Sequence, residues 1–219
     1  MGYSQYEGAP KLGFVSDTGW DAISTGRYSC SFMTLGFRPS VQVTAPGTNP
    51  YTDLMAKAAA HAATHGAVKP ALSPVDATVL NGMVPVAALR RNGFRVVPWT
   101  TNDPERMRAI IRLGVDGLIS DRPDLLQQVL EEERASSPDT AERLKSFHFS
   151  GHRGARGLRP ENTLPAFEAG LDHLIDMIET DLGVTTDHVS LIWHDQFLNP
   201  QSCRRADGTS YAMENRVYI

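Results

Sequence analysis

The chain has 219 residues, of which 41% are hydrophobic and 21% charged, so it can build a core and is not a charged disordered chain. Its net charge of -4 argues against a nucleic-acid-binding protein, which would usually carry a basic stripe. Two cysteines, Cys30 and Cys203, exclude a disulfide scaffold and a cysteine-based zinc site. No apolar run approaches the roughly 20 residues of a membrane span, and no signal peptide is visible. We therefore expect a soluble protein, cytoplasmic by default.

The first segment, residues 1–66, is weakly patterned. Short strands are predicted at residues 11–15 and 41–45. An alanine-rich helix follows over residues 51–65, and Gly66 ends it. We predict a possible strand–helix unit in this segment.

The second segment, residues 67–133, alternates short apolar runs with helical patterns. Pro85 weakens one predicted helix because proline lacks a backbone donor, and Asp103 is a good cap for another. Such alternation predicts a parallel sheet covered by helices. The predicted strands are 67–72, 94–100 and 115–119, and the predicted helices are 76–91, 104–113 and 121–130.

A polar connector over residues 134–148 leads into a last segment, residues 149–219. The connector is broken near Ser136–Pro138, which is typical of a solvated helix tail. Beyond it the sequence predicts strands at 146–150, 176–182 and 189–193 and a helix at 164–174.

Five chemically active side chains follow or lie on these last strands: His152, Arg153, Glu179, Asp181 and His194. Strand side chains alternate, so Glu179 and Asp181 are expected to share a face. Two carboxylates side by side are costly unless a cation neutralises them, and oxygen ligands favour Mg²⁺ or Ca²⁺. Taken singly, each feature is more often an ordinary polar strand face or a structural histidine, but the ordered set favours a site.

Two groups of motifs resemble the glycerophosphodiester phosphodiesterase family. The downstream group is similar to the family's N-terminal half: GHRG at 151–154, PENT at 160–163, AF at 166–167, ETDL at 179–182 and HD at 194–195. The upstream group resembles the family's C-terminal end: SP at 73–74, VPWTTND at 97–103 and GVDGLISDRP at 114–123.

This resemblance implies an α/β, TIM-barrel-like (β/α) fold whose segments stand in reversed order. A complete barrel takes about 250 residues, so the fold is expected to be incomplete or circularly permuted, with the middle of the barrel missing. A junction between two tandem copies and an assembly or reading-frame artefact are the alternatives.

The resemblance also implies a reaction: metal-dependent hydrolysis of glycerophosphodiesters to an alcohol and glycerol 3-phosphate. Glu179 and Asp181 would hold Mg²⁺ or Ca²⁺, while His152 and His194 would act as general base and acid in an order left open. Arg153 would bind the substrate phosphate.

Two further residues receive roles from the same resemblance. Glu161 would orient Arg153 or a ligand, and Trp99 would line the substrate pocket, although a core position is equally expected for this tryptophan. The family's third metal carboxylate has no obvious counterpart; Asp17, Asp21 and Asp53 are weak substitutes.

A different class of function stays open. The chain could be a catalytically inactive barrel fragment, or an interaction module that needs a second copy to complete its sheet, because unpaired strand edges favour such pairing. A homodimer is therefore a predicted partner state, beside the small-molecule substrate.

Overall fold

The computed structural model describes residues 14–16, 33–35, 49–64 and 70–219. The chain divides into two compact units, residues 1–179 and 180–219. The predicted strand at 41–45 lies outside the described residues.

In the first unit, short strands alternate with helices. The strands are β1 (Phe14–Ser16), β2 (Met33–Leu35), β3 (Ala71–Leu72), β4 (Gly117–Ser120), β5 (His148–Gly151) and β6 (Met177–Ile178). The helices are α1 (Pro50–Thr64), α2 (Asp76–Leu80), α3 (Val86–Arg91), α4 (Pro104–Arg112), α5 (Pro123–Ser136), α6 (Pro138–Arg143) and α7 (Leu164–Asp172).

The strands of this unit are parallel and follow chain order. One sheet runs β1-β2-β3 and another runs β4-β5-β6. Residues 94–101 join the two sheets. Val96 and Trp99 form parallel bridges with Leu72 and Val75, and the N–H groups of Asp116 and Ile119 donate to the Val96 and Pro98 carbonyls. Parallel strands that pair in chain order, with helices between β2 and β3, β4 and β5, and β5 and β6, are consistent with the predicted TIM-barrel-like (β/α) fold. Among the described residues the sheet does not close into a barrel.

The core of the first unit lies mainly between the sheet and its helices. Leu118 of β4 and Leu126 of α5 are fully buried there, as are Met107 and Ile110 of α4. A smaller cluster draws one residue each from β3, the 94–101 segment, β4 and β6, namely Ala71, Val97, Ile119 and Met177. Strand residues therefore bury apolar side chains on both faces, as in a parallel sheet.

Local signals set the helix boundaries. The Asp103 carboxylate accepts the Arg106 N–H at 2.9 Å and Pro104 follows, so α4 starts where the sequence predicts. Ser137 caps α6 in the same way, accepting the Thr140 N–H at 3.1 Å, and interrupts the polar connector at its predicted break.

Two predicted elements of the second segment are wrong in detail. The helix predicted over 76–91 is two short helices, because Gly82 takes a φ of 77° and Pro85 cannot donate a helix bond. The strand predicted over 94–100 forms only isolated bridges, and Pro98 interrupts its row of backbone donors.

The strand predicted over 176–182 is also wrong. β6 ends at Ile178, and the next strand, β7 (Leu182–Val184), pairs antiparallel with β8 (Ser190–Ile192) in the second unit. Glu179 and Asp181 lie between strands, so strand alternation does not place their carboxylates on one face. Within the described residues, no helix is long and apolar enough to cross a membrane.

Candidate active site

Polar side chains follow the carboxyl ends of three neighbouring strands of the first unit. Asp121 follows β4, His152 and Arg153 follow β5, and Glu179 follows β6. The register pairs Ser120 with Gly151 and Gly151 with Ile178, so the residues that follow are also brought close. In barrel enzymes this edge of the sheet carries the catalytic groups.

The His152 ring lies between two carboxylates. Its Nδ1 is 2.5 Å from Oδ1 of Asp121, and its Nε2 is 3.8 Å from Oε2 of Glu179. The His152 side chain is 14% exposed, so the ring is largely shielded from solvent. Its backbone N–H donates to the Ser120 carbonyl at 2.8 Å, which anchors the residue to β4.

The turn after β5 has two consecutive residues with positive φ angles, Arg153 and Gly154. Arg153 has a φ of 50°, and its N–H donates to Oε2 of Glu179 at 3.0 Å. Gly154 has a φ of 89°, and a Cβ there would lie 2.7 Å from the backbone of Ala166. Glycine is therefore required for both conformation and space, which explains the second glycine of the GHRG motif.

The Arg153 guanidinium is held inside the protein by an ion pair. Its Nη1 donates to Oε1 of Glu161 at 2.8 Å, and Arg153 is only 8% exposed. Oε2 of Glu161 lies 3.2 Å from Nε of Arg156, so this carboxylate spans two guanidinium groups. Glu161 therefore contacts Arg153, and its predicted role of orienting Arg153 or a ligand stays a prediction.

The Asp121 carboxylate is ionised despite its partial burial. Burial would raise the pKa of Asp121, but hydrogen bonds from His152 and Asn102, with the nearby charges of His152 and Arg156, lower the pKa below its ordinary value. The site thus keeps a full negative charge against His152 at neutral pH.

Trp99 packs over the small cluster of Ala71, Val97, Ile119 and Met177, and its indole N–H donates to the Ser73 carbonyl at 2.9 Å. The ring is partly buried. This contact set describes a core-packed tryptophan with a satisfied N–H, and its predicted role in a substrate pocket remains a prediction.

The other two predicted residues belong to the second unit. The Asp181 carbonyl accepts the Trp193 N–H at 3.1 Å. His194 follows β8, is 48% exposed, and has its Nδ1 2.8 Å from Oδ1 of Asp195. Asp195 in turn accepts the Asn199 amide at 2.7 Å, so His194 has an anchored carboxylate partner within its own unit.

The described part of the structure does not complete the three-ligand metal group that the family resemblance implies. Among the residues that the structure describes, no three His, Cys, Asp or Glu side chains are grouped to hold a metal ion. Oε2 of Glu179 already accepts the Arg153 N–H. Of the weak substitutes for a third ligand, Asp53 forms a salt bridge with Lys57 at 2.9 Å, and Asp17 and Asp21 lie outside the described residues.

Sequence reasoning missed Asp121 and its partner Asn102. The Asn102 amide donates to Oδ2 of Asp121 at 2.7 Å, and its carbonyl oxygen accepts the Asp121 N–H at 2.9 Å. The signal was present, since Asp121 directly follows an apolar strand just as His152 does. Its importance depends on β4 and β5 being neighbours, which only the fold establishes.

A model of the glycerophosphoryl diester phosphodiesterase family matches residues 32–125 and 152–205, more than half of the chain. The chain belongs to this family. Residues 126–151, which include most of α5, α6 and the strand β5, separate the two matched ranges, and the site residues Asp121 and His152 fall in different ranges.

Relatives named for the same activity match parts of the chain. Glycerophosphodiester phosphodiesterase GDPD2 of Arabidopsis thaliana is 37% identical over 95 residues, covering 37% of this chain and 25% of the relative. Glycerophosphodiester phosphodiesterase of Caldanaerobacter subterraneus subsp. tengcongensis is 42% identical over 41 residues, covering 19% and 17%. The chain therefore spans about a quarter or less of these relatives' length. No solved structure matches it significantly.

Proposed function

We propose that this chain hydrolyses glycerophosphodiesters to an alcohol and glycerol 3-phosphate. Membership of the family and the names of its relatives support the reaction class. The observation that carries the proposal is the grouping of His152, Arg153 and Glu179 at the carboxyl ends of adjacent parallel strands.

His152 would handle one of the two protons that move during hydrolysis. Water forms a new bond to phosphorus and loses a proton, while the phosphorus–oxygen bond to the alcohol breaks and that oxygen gains one. An imidazole titrates near neutral pH and serves either step. His194, also a strand-end histidine, is the proposed partner for the other proton.

Arg153 would bind the substrate phosphate, with Glu161 fixing the direction of its guanidinium. A planar guanidinium presents paired N–H donors that match two phosphate oxygens. The 2.8 Å ion pair with Glu161 restricts the rotation of a long side chain, so less rotamer entropy is lost when the substrate binds.

The predicted divalent cation would bind at Glu179 and Asp181, and we expect this binding to be weak. The described residues do not assemble a three-ligand group, and few ligands give low affinity for Mg²⁺ or Ca²⁺. Isothermal titration calorimetry with either ion should show a dissociation constant above the micromolar range. A sub-micromolar constant would contradict this expectation.

We further propose that the family's barrel is permuted in this chain. β4 lies in the segment that resembles the family's C-terminal end and β5 in the segment that resembles its N-terminal half, and the two strands pair in parallel. In a closed barrel the last and first strands are neighbours, which supports a permutation. Further family segments encoded in the flanking genomic DNA would instead favour a junction of tandem copies.

The hydrolysis assay uses the full chain, glycerophosphocholine and Mg²⁺ or Ca²⁺, with released glycerol 3-phosphate as the readout. We expect low activity that His152→Ala removes. His173→Ala is the matched control, since His173 contacts Gln127 instead of the strand-end residues. If His152→Ala retains the parent's rate, His152 does not carry the reaction.

A second candidate function is an inactive module that completes its sheet with another copy. The unclosed sheet among the described strands favours it. Size-exclusion chromatography with light scattering separates the two candidates. A monomer with cation-dependent activity supports the enzyme, and an inactive dimer supports the module.

A further inference from the structure

The strongest unassigned feature is the contact between Asp121 and His152. An ionised carboxylate only accepts hydrogen bonds, so a 2.5 Å approach to Nδ1 of His152 requires the proton to be on Nδ1. In the neutral ring, Nε2 is then an acceptor. We infer that Asp121 is a positioning residue, which fixes the Nδ1–H tautomer of His152 and presents Nε2 as the atom that exchanges protons.

The distances on the other side of the ring support this assignment. Nε2 is 3.8 Å from Oε2 of Glu179, beyond the 2.7–3.2 Å range of ordinary N–H···O hydrogen bonds. That oxygen instead accepts the Arg153 N–H at 3.0 Å. Glu179 therefore does not compete for a proton on Nε2 in this geometry, whereas Asp121 is within hydrogen-bonding distance of Nδ1.

Asp121 is itself held in place, as a positioning residue must be. Asn102 donates to its second oxygen at 2.7 Å and accepts its backbone N–H at 2.9 Å, and the Ser120 hydroxyl donates to Asn102 at 3.1 Å. Outer contacts of this kind fix the orientation of a functional side chain. Arg156, with Nε 3.8 Å from Oδ1 of Asp121, adds a nearby positive charge.

The contact joins the two parts of the chain that match the family separately. Asp121 lies near the end of the first matched range, residues 32–125, and His152 is the first residue of the second, residues 152–205. The direct pairing of β4 with β5 brings them together. The downstream part therefore depends on the upstream part for the orientation of its histidine, even though the connector separates them in sequence.

The test is ¹⁵N NMR of the full chain labelled at histidine, recorded at pH 8.5. His152→Ala identifies the His152 signals. We expect Nδ1 protonated and Nε2 unprotonated in the parent, and a shift towards the Nε2–H tautomer in Asp121→Asn. Asp124→Asn, three residues along, is the matched control because Asp124 pairs with Arg122; it should leave the His152 spectrum unchanged.

Two results would overturn the inference. One is a parent spectrum with a proton on Nε2, whether the ring is neutral or doubly protonated. The other is a tautomer that Asp121→Asn leaves unchanged. The parent spectrum tests the inference even if Asp121→Asn does not fold.

The kinetic consequence rests on the proposed function. With glycerophosphocholine, Asp121→Asn should lower kcat by roughly 100-fold or more and change KM little, as expected when an orienting carboxylate is lost. A wild-type kcat in a folded Asp121→Asn variant would contradict the role. An inactive parent would refute the proposed function and leave the tautomer result standing.

Discussion

The parallel-sheet unit buries apolar strand residues, whereas the C-terminal hairpin unit leaves several of them exposed to solvent. In the first, strand residues such as Leu118 and Ile119 are buried, and helices supply the other side of the core. In the second, Leu182 and Ile192 face each other across the hairpin and remain exposed. Both segments resemble the family in sequence, so resemblance alone does not determine how well a segment is packed.

The difference has a physical cause. A parallel sheet collects helices because each crossover places one on a face of the sheet. A two-stranded hairpin has no such cover and is marginal alone in water. The residues of the candidate site divide accordingly: His152, Arg153 and Glu179 belong to the packed unit, and His194 belongs to the exposed one.

The largest expected effect is a loss of folding stability when a buried strand residue of the first unit is truncated. Leu118→Ala in β4 should lower the free energy of unfolding by about 2–5 kcal/mol, because it leaves a cavity in the core. Ile192→Ala, at a residue 45% exposed in β8, should change it by less than about 0.5 kcal/mol. Urea denaturation measures both. Equal losses would show that the hairpin is as firmly packed as the sheet.

The next effect tests the chemistry of the packed unit. Arg153→Lys should lower kcat/KM about 10–100-fold, because lysine cannot reproduce the paired donors towards Glu161 and phosphate. Arg159→Lys is the matched control, since Arg159 bonds only to a neighbouring carbonyl in the contacts described. If both variants match the parent in steady-state kinetics, the phosphate role of Arg153 is wrong.

A smaller effect tests how far local signals stabilise the packed unit. Asp103→Ala removes the cap of α4 and should cost about 1 kcal/mol of stability. Thermal or urea denaturation checks it, and Asp103→Asn, which can still cap, should stay close to the parent. A loss above 3 kcal/mol would mean that Asp103 has a tertiary role beyond capping.

The smallest expected effect is a pH dependence of folding stability caused by the ion pair between Arg122 and Asp124. The hydrogen bond from Arg122 is the largest cause that lowers the pKa of Asp124. A carboxyl group whose pKa is lowered by folding stabilises the protein at pH values above its pKa in the unfolded chain, about 3.9. This stabilisation is lost as the pH falls through the pKa of the group in the folded protein. The parent should exceed Asp124→Asn in stability by less than about 1 kcal/mol at pH 7, because the pair is partly exposed, and the difference should shrink as the pH falls below the unfolded pKa of Asp124. Urea titrations over a series of acidic pH values measure it, and a difference that does not shrink in acid would contradict this origin.

Much of the packed unit was predictable because its signals are local. The cap and proline before α4, the glycine after it and the apolar run of β4 each act within a few residues. The errors arose where local signals compete, as at Gly82 and Pro85. The stretch from Glu179 to Asp181 was predicted as part of one strand because a strand-like run does not show where one strand ends and pairing changes partner.

The order of residues along the chain determined the family, the alternation of strands and helices, and the strand-end positions of His152 and Arg153. These properties depend on residue type and spacing within short windows. Only the tertiary structure decided that β4 lies beside β5, and hence that Asp121, 31 positions away, contacts the His152 ring. Such a contact depends on which strands pair, and strand pairing depends on packing across the whole sheet.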